Sequence, residues 1–499
     1  MRKIIILTLF YFLITPVIYG QDKTKGKATT NKPVWTIKLK IKGLKDTLCY
    51  LGYYYGDKQF IRDTAKVNSD GVCVFEGTEP IEGGIYLAVT PDKKYFEIMV
   101  SENKISLETD TAEFVKNMKV IESKENKLFY GFLNYIATQQ EKAGPIREEM
   151  KIAQTSNDTA KMRELKQKML AVDSEVRDYK QKLMEDNPNS IVTKIFRASQ
   201  DIEVPDPPIL ENGRPDSLFQ FRYYKQHFFD NIDFSDDRIL RTPIFHPKLV
   251  QYLEKLTLQQ PDSINATADF IINKAKANKE MFKYCVYYMT STYEKSKIMG
   301  FDAIFVHLVD NYFTDGQAFW VDSTTLYKIQ DRAKTLKPLL IGNKAPDLTL
   351  YDTTSNVIDI NEQKTLSGGK TFNMYNIPAK YMVLFYWDPD CGHCKHEIPL
   401  LINAYDSVLK DMGVVILAIS LENADTKKWK EFINGKNMKF INGFDPSNQN
   451  NLYKTYDIYS TPVIYLLDQE KRILAKRISV DQIKEVIDKE EEFKREKIK

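Results

Sequence analysis

The feature that most limits how this chain can fold is the unbroken apolar run Met382-Val-Leu-Phe-Tyr-Trp387, followed at once by Asp388-Pro-Asp390 and Cys391-Gly-His-Cys394. A strand apolar on both sides belongs inside a sheet covered on both faces. Two thiols three residues apart at a helix start can exchange a disulfide without moving the backbone. Around this point the patterns alternate, with strands over 381–387, 413–420 and 463–468 and helices from Cys391, over 427–434 and over 481–492. Strands separated by helices predict a mostly parallel sheet with helices on both faces, filling residues 338–499 as a C-terminal α/β domain.

The rest of the chain follows other rules. Residues 33–110 carry short β-rich runs at Trp35–Ile41, Thr47–Tyr55, Gly71–Phe75, Gly84–Thr90 and Tyr95–Val100, with Asn68-Ser-Asp-Gly71 as a turn, which predicts a small antiparallel β-domain of sandwich type. Residues 111–337 read as an all-α domain. Met162, Leu165, Met169, Val172, Val176, Tyr179 and Leu183 recur at 3,4 spacing, a narrow apolar seam ~33 Å long at 1.5 Å per residue. Leu128 to Ala153 is its natural antiparallel partner through the polar turn Thr155-Ser-Asn-Asp158, so a helical hairpin is expected; the same seam also suits self-association. Phe219, Phe221, Tyr223, Tyr224, Phe228 and Phe229 crowd one stretch, as core or interface aromatics do.

Arg2-Lys3, the apolar stretch Ile4–Ile18 and the polar Gln21-Asp-Lys23 read as an export signal over residues 1–20. The apolar stretch is short of the ~20 residues of a spanning helix and is interrupted by Pro16, and no later segment is long and apolar enough to span. The expected location is the periplasm or cell envelope, with no integral membrane segment after cleavage. The formal charge of +3 falls to about +1 once Arg2 and Lys3 leave, with both signs interspersed, so nucleic acid is not an expected partner. Five cysteines are too few for a disulfide-stapled scaffold in 499 residues.

Asp390 is placed to cap the helix beginning at Cys391, leaving backbone N–H groups and the positive helix end aimed at the first sulfur. The exposed Cys391 is then the attacking thiolate, and Cys394, one turn deeper, resolves the mixed disulfide. A protonated His393 would favour the thiolate and make the disulfide a stronger oxidant. A zinc site would need a second ligand pair, whereas Cys49, Cys73 and Cys285 are isolated upstream. Cys49 and Cys73 lie on predicted strands and could bridge or stay as buried thiols. His227, His246 and His307 are scattered singly and read as structural. Nothing supports a metal, nucleotide or flavin, and no cofactor is expected.

Trp387-x-x-x-Cys391-x-x-Cys394, Pro399 in the same helix and Thr461-Pro462 resemble the thioredoxin fold. Cys391-Gly-His-Cys-Lys-His-Glu-Ile-Pro399, with the leading Gly342-x-x-Ala345-Pro346-Asp-Leu, is similar to the TlpA/ResA branch of exported thiol-disulfide oxidoreductases over about the last third of the chain. The resemblance implies Cys391 as nucleophile, Cys394 as resolving thiol, a cis proline at Pro462 facing the sulfurs, and a substrate-binding role for Trp387, Thr461 and Pro462. It also makes Glu397 an acid/base candidate, against a simple surface pair with His393. Thioredoxin proper has a buried aspartate where this chain has Phe385, and the Gly-His spacer is like that of disulfide isomerases. The upstream parts resemble, more loosely, accessory domains of Bacteroidota envelope proteins.

Three readings follow. The first is an exported oxidoreductase that reduces client protein disulfides and is fed by a membrane thiol-disulfide electron donor. The second is an oxidase or isomerase using the same dithiol. The third is an envelope binding or scaffold protein in which redox chemistry is secondary.

Overall fold

A computed structural model describes residues 32–354, 356–360, 363–367, 369–421 and 426–498; the expected export signal lies outside the described residues. The first domain holds strands β1 (Trp35–Lys42), β2 (Thr47–Tyr55), β3 (Lys58–Val67), β4 (Val72–Gly77), β5 (Gly84–Val89), β6 (Tyr95–Val100), β7 (Lys104–Asp110) and β8 (Lys119–Glu122). They form two four-stranded sheets, ordered β4-β1-β7-β8 and β3-β2-β5-β6. Alternation along β1 buries Trp35, Ile37, Leu39 and Ile41 on one side, against Cys49, Leu51, Tyr86, Phe96 and Ile98. The expected all-antiparallel domain is corrected in one place, since β1 and β7 pair in parallel, Ile37 opposite Ile105. The domain also runs past residue 110, because β8 adds an edge strand ending at Glu122.

Two long helices follow, α1 (Lys124–Thr155) and α2 (Thr159–Asp186), antiparallel and capped at their N-termini by Ser123 and Asp158. The predicted seam faces the partner helix: Leu165 and Leu183 are buried, Tyr179 is half-buried, and its ring stacks on Tyr135 at 4.0 Å. The hairpin is tied to the sandwich at its root, where the Asn126 amide group donates to Met99 O at 2.8 Å and accepts from Met99 N at 2.9 Å. Seven shorter helices complete the all-α part: α3 (Ile191–Ala198), α4 (Phe219–His227), α5 (Phe245–Lys255), α6 (Pro261–Ala275), α7 (Lys279–Glu294), α8 (Asp302–Tyr312) and α9 (Ser323–Leu336). Phe228 and Phe229 of the aromatic stretch enter their common core, while Phe221 stays exposed.

The last domain is built from β9 (Thr349–Tyr351), β10 (Asn356–Ile360), β11 (Gln363–Ser367), β12 (Thr371–Asn373), β13 (Tyr381–Trp387), α10 (Gly392–Ala404), β14 (Val414–Ser420), α11 (Thr426–Lys436), β15 (Ile441–Phe444), α12 (Leu452–Thr455), β16 (Val463–Leu467), β17 (Ile473–Lys476) and α13 (Val480–Ile498). Its seven-stranded sheet has the order β12-β9-β15-β14-β13-β16-β17. Every residue of β13 is buried, since α10, α11 and α13 cover one face and α12 with Leu339, Leu348 and Leu350 the other. The mostly parallel sheet that was expected is corrected: β13, β14 and β15 are parallel, and all the outer pairings are antiparallel. Helix-free connections such as β16 to β17 reverse direction directly, which only antiparallel pairing permits.

The helical and C-terminal domains meet through ions as well as apolar surface. Lys476, nearly buried on β17, pairs with Asp302 of α8 and donates to Leu339 O at 2.6 Å. Lys454 pairs with Asp331 of α9 at 3.0 Å, and the next residue, Arg332, grips Asp457.

Candidate active site

The end of β13 delivers the chain into a tight turn in which Asp390 N donates to Asp388 Oδ1 at 2.7 Å and Cys391 N donates to Asp388 O at 3.1 Å. Helix α10 then begins at Gly392 with Cys391 as its N-cap. The Cys391 sulfur accepts from Cys394 N at 3.3 Å, so the nucleophile candidate satisfies an orphan N–H of its own helix. Asp390 is therefore not the cap. Its carboxylate is turned outward to Lys428 on α11.

Opposite the helix tip, the Thr461-Pro462 bond is cis, and the Cys391 thiol donates to Thr461 O at 3.2 Å. Thr461 and Pro462 are half-exposed, leaving a ledge of backbone beside a half-exposed sulfur. Burial alone would raise the Cys391 thiol, but hydrogen bonds with the side chains of Thr461 and Cys394, and from the backbone of Cys394 and His393, outweigh it and hold the thiol below its ordinary value. Cys394 is fully buried among Phe385, Ile398 and Leu401, and burial followed by the hydrogen bond with Cys391 pushes it up to about 12. The geometry thus sets one ready, reachable sulfur against one protected sulfur held protonated.

The remaining expected residues divide. Trp387, expected to contact substrate, is 0% exposed at the C-terminal end of β13 and packs on Phe432 at 5.1 Å. His393 is exposed on the first turn of α10. Glu397 is half-buried, and its carboxylate lies 3.4 Å from His396 Nδ1, so the surface pair is with His396 and not with His393. Phe385 is buried beneath the dithiol where an acid was expected in thioredoxin proper.

Cys49, Cys73 and Cys285 are free and buried. Cys49 and Cys73 lie in the same sandwich core, unbridged. His227, His246 and His307 each have a local partner, Asp230 at 2.6 Å, Tyr284 at 2.8 Å and Asp269 at 2.9 Å. Among the described residues no cluster could hold a metal ion, and no helix is long and apolar enough to cross a membrane. A cavity of about 510 Å³ lined by Asp352, Phe372, Lys430, Met438, Phe440 and Asn442 contains none of the residues around the dithiol. Cys391 itself is half-exposed, next to the half-exposed Thr461 and Pro462.

Sequence reasoning missed Asp457 and Tyr459, which shape the segment leading to Thr461, and Arg332, which holds both from another domain. No local motif announces a contact between residues 125 apart.

Comparison with known proteins agrees with the geometry. A thioredoxin-like family matches residues 379–473, and two domains of unknown function, DUF4369 and DUF5106, match residues 35–129 and 159–337. The chain is 24% identical over 148 residues to the thiol-disulfide oxidoreductase ResA of Bacillus thuringiensis, covering 30% of this chain and 75% of that one. It is 35% identical to a crystallised domain of a possible thiol-disulfide isomerase from Cytophaga hutchinsonii, covering 32% of this chain and 97% of that one, with a TM-score of 0.28. A thioredoxin-like protein from Bacteroides caccae is 19% identical over 57% of this chain and 98% of its own, with a TM-score of 0.40. With a dithiol at a helix tip facing a cis proline and a family match over residues 379–473, the C-terminal domain is thioredoxin-like and similar to thiol-disulfide oxidoreductases such as ResA.

Proposed function

We propose that this enzyme is exported to the periplasm or cell envelope and reduces disulfides in client proteins through Cys391 and Cys394. The observation that carries the reading is the asymmetry of the pair: Cys391 is half-exposed and held low, while Cys394 is buried and held up at about 12. In the first step the Cys391 thiolate attacks one sulfur of the client disulfide, that S–S bond breaks, and the other client sulfur leaves as a thiolate. Cys394 then gives its proton to solvent or to the departing thiolate and attacks the Cys391 sulfur, releasing the client's second thiolate. Two electrons pass to the client, and the enzyme is left with a Cys391–Cys394 disulfide. A membrane-bound dithiol donor would return the electrons. Thr461 and Pro462 supply the ledge along which the client backbone lies, with the proline's missing N–H keeping that edge open.

His393, exposed one residue before Cys394, favours a second reading, in which a charged imidazole stabilises the reduced form and the same exchange runs as oxidation or isomerisation. Equilibration with glutathione separates the two: a potential near about −270 mV supports the reductase, and one toward about −120 mV supports the oxidant. Trapping of mixed disulfides by Cys394→Ala is the direct test of client reduction. Capture of envelope proteins through Cys391 is expected, and a variant that captures none in cells overturns the proposal.

A further inference from the structure

The segment that presents Thr461 to the reactive sulfur is held from outside its own domain. Asp457 is 2% exposed, has φ of 53°, and carries a buried carboxylate with two guanidinium partners. One is Arg477, directly after β17, which also donates to the Asp457 carbonyl at 2.6 Å. The other is Arg332 on α9, whose two terminal nitrogens engage both carboxylate oxygens. Two-point contact of this kind fixes direction as well as distance.

The same guanidinium continues to the next surface residue of the loop. Arg332 Nη1 donates to the Tyr459 hydroxyl at 3.0 Å, and its central carbon lies 5.3 Å from the Tyr459 ring centroid. Tyr459 is 76% exposed, an unusual state for a large aromatic, yet it is pinned at its hydroxyl and over its face. Between the two held residues, Ile458 is buried, and beyond Tyr459 only Ser460 separates the pinned ring from Thr461, the residue 3.2 Å from the Cys391 sulfur.

We propose that Arg332 is a positioning residue for client binding: the helical domain, through Arg332, fixes the Asp457–Pro462 loop and holds the Tyr459 ring as a contact for the client chain beside its disulfide. The chemical class of partner is an unfolded or extended polypeptide carrying a cystine flanked by apolar side chains, which an exposed aromatic face suits and a small thiol compound would not use. This rests on the reading of the dithiol as client-directed. It assigns the helical domain a part in the reaction, and it commits Arg332 to act on binding of the client and not on the sulfur chemistry.

The test uses the full chain with dithiothreitol as electron source and insulin as the protein disulfide, and reads KM and kcat separately. In Arg332→Met the buried Asp457 keeps Arg477, so the fold should persist, which a thermal melt checks. Expected is a rise in KM of roughly fivefold or more with kcat within about twofold, and partial recovery in Arg332→Lys, which keeps the charge but not the fork. Tyr459→Phe, a change on the surface that removes only the accepting hydroxyl, should raise KM by about two- to threefold. The double variant should be no worse than Arg332→Met alone, since both remove one contact. A folded Arg332→Met with unchanged KM, or effects of the two variants that simply multiply, overturns the proposal. If Arg332→Met does not fold, Tyr459→Phe decides, and an unchanged KM there overturns it. A wild-type chain unable to reduce insulin at all overturns the client-reduction reading itself, a failure distinct from that of the variants.

Discussion

Two pairs of cysteines lie in this chain, and only one is arranged for chemistry. Cys49 and Cys73 sit together in the sandwich core, both buried among Leu39, Leu51 and Phe75. Cys391 and Cys394 are also in contact, but at the mouth of a helix, with backbone N–H groups and the Thr461 ledge around the outer sulfur. Proximity is common to both pairs. What differs is access and the polar groups that can stabilise an anion, and these set reactivity.

Replacing the sulfur with the ready anion should have the largest effect on this contrast. Cys391→Ser is expected to lower disulfide reduction by roughly a hundredfold or more, whereas Cys49→Ala should stay within about twofold, as an insulin precipitation assay would show. Alkylation sharpens the comparison. Iodoacetamide should label Cys391 at least roughly tenfold faster than the buried thiols, with a pH midpoint below the ordinary ~8.5, and Cys49, Cys73 and Cys285 should react only on unfolding. Peptide mass spectrometry across a pH series would read this, and labelling of Cys73 at the rate of Cys391 would erase the distinction.

Stability should reverse the ranking. Cys73→Ala leaves a small void in a packed core and should cost about 1–2 kcal/mol in urea unfolding, while Cys391→Ala at the rim should change it by about 0.5 kcal/mol or less. The smallest effect is on the pH dependence of the reduced protein. Cys391 is held low in the folded state, so its contribution is present above the unfolded thiol value of ~8.5 and is lost as pH falls through the folded value. Cys394 is held up at about 12, so above ~8.5 the unfolded chain sheds that proton first and stability declines with pH. The difference in unfolding midpoint between wild type and Cys391→Ser should therefore grow from pH ~6 to ~8.5 and then level; a flat difference would mean the thiolate is not stabilised.

The parts legible in the sequence were those encoded by neighbouring residues. Met382–Trp387 announced a strand buried on both faces, and the seam from Met162 to Leu183 announced a hairpin, because apolar spacing reports directly which face a residue shows to the core. The cis bond at Thr461-Pro462 and the positions of both reactive thiols came with the family motif. What was not legible depended on distant partners. Strand β3 begins Lys-Gln-Phe-Ile-Arg-Asp, exposed over its first five residues, so it exists by pairing with β2 and not by an apolar pattern of its own. Trp387 read as a surface for substrate, yet Phe432 and α11 close over it. Asp390 had the right type and position for a cap, but Lys428 offered it a charge and the Cys391 sulfur took the cap instead.

Lys476 bears on how the protein can be divided. Its ammonium lies within the junction, answered by Asp302 and the Leu339 carbonyl, both contributed by the chain before the thioredoxin-like sheet begins. A fragment trimmed to residues 341–498 would strand that cation on an opened apolar seam and remove one of the two arginines from Asp457. A stand-alone catalytic piece of this chain would need a neutral side chain at 476 and a polar cover for the uncovered seam. The preceding helices are in that sense part of the electrostatic interior of the redox domain, and severing them changes the molecule being assayed.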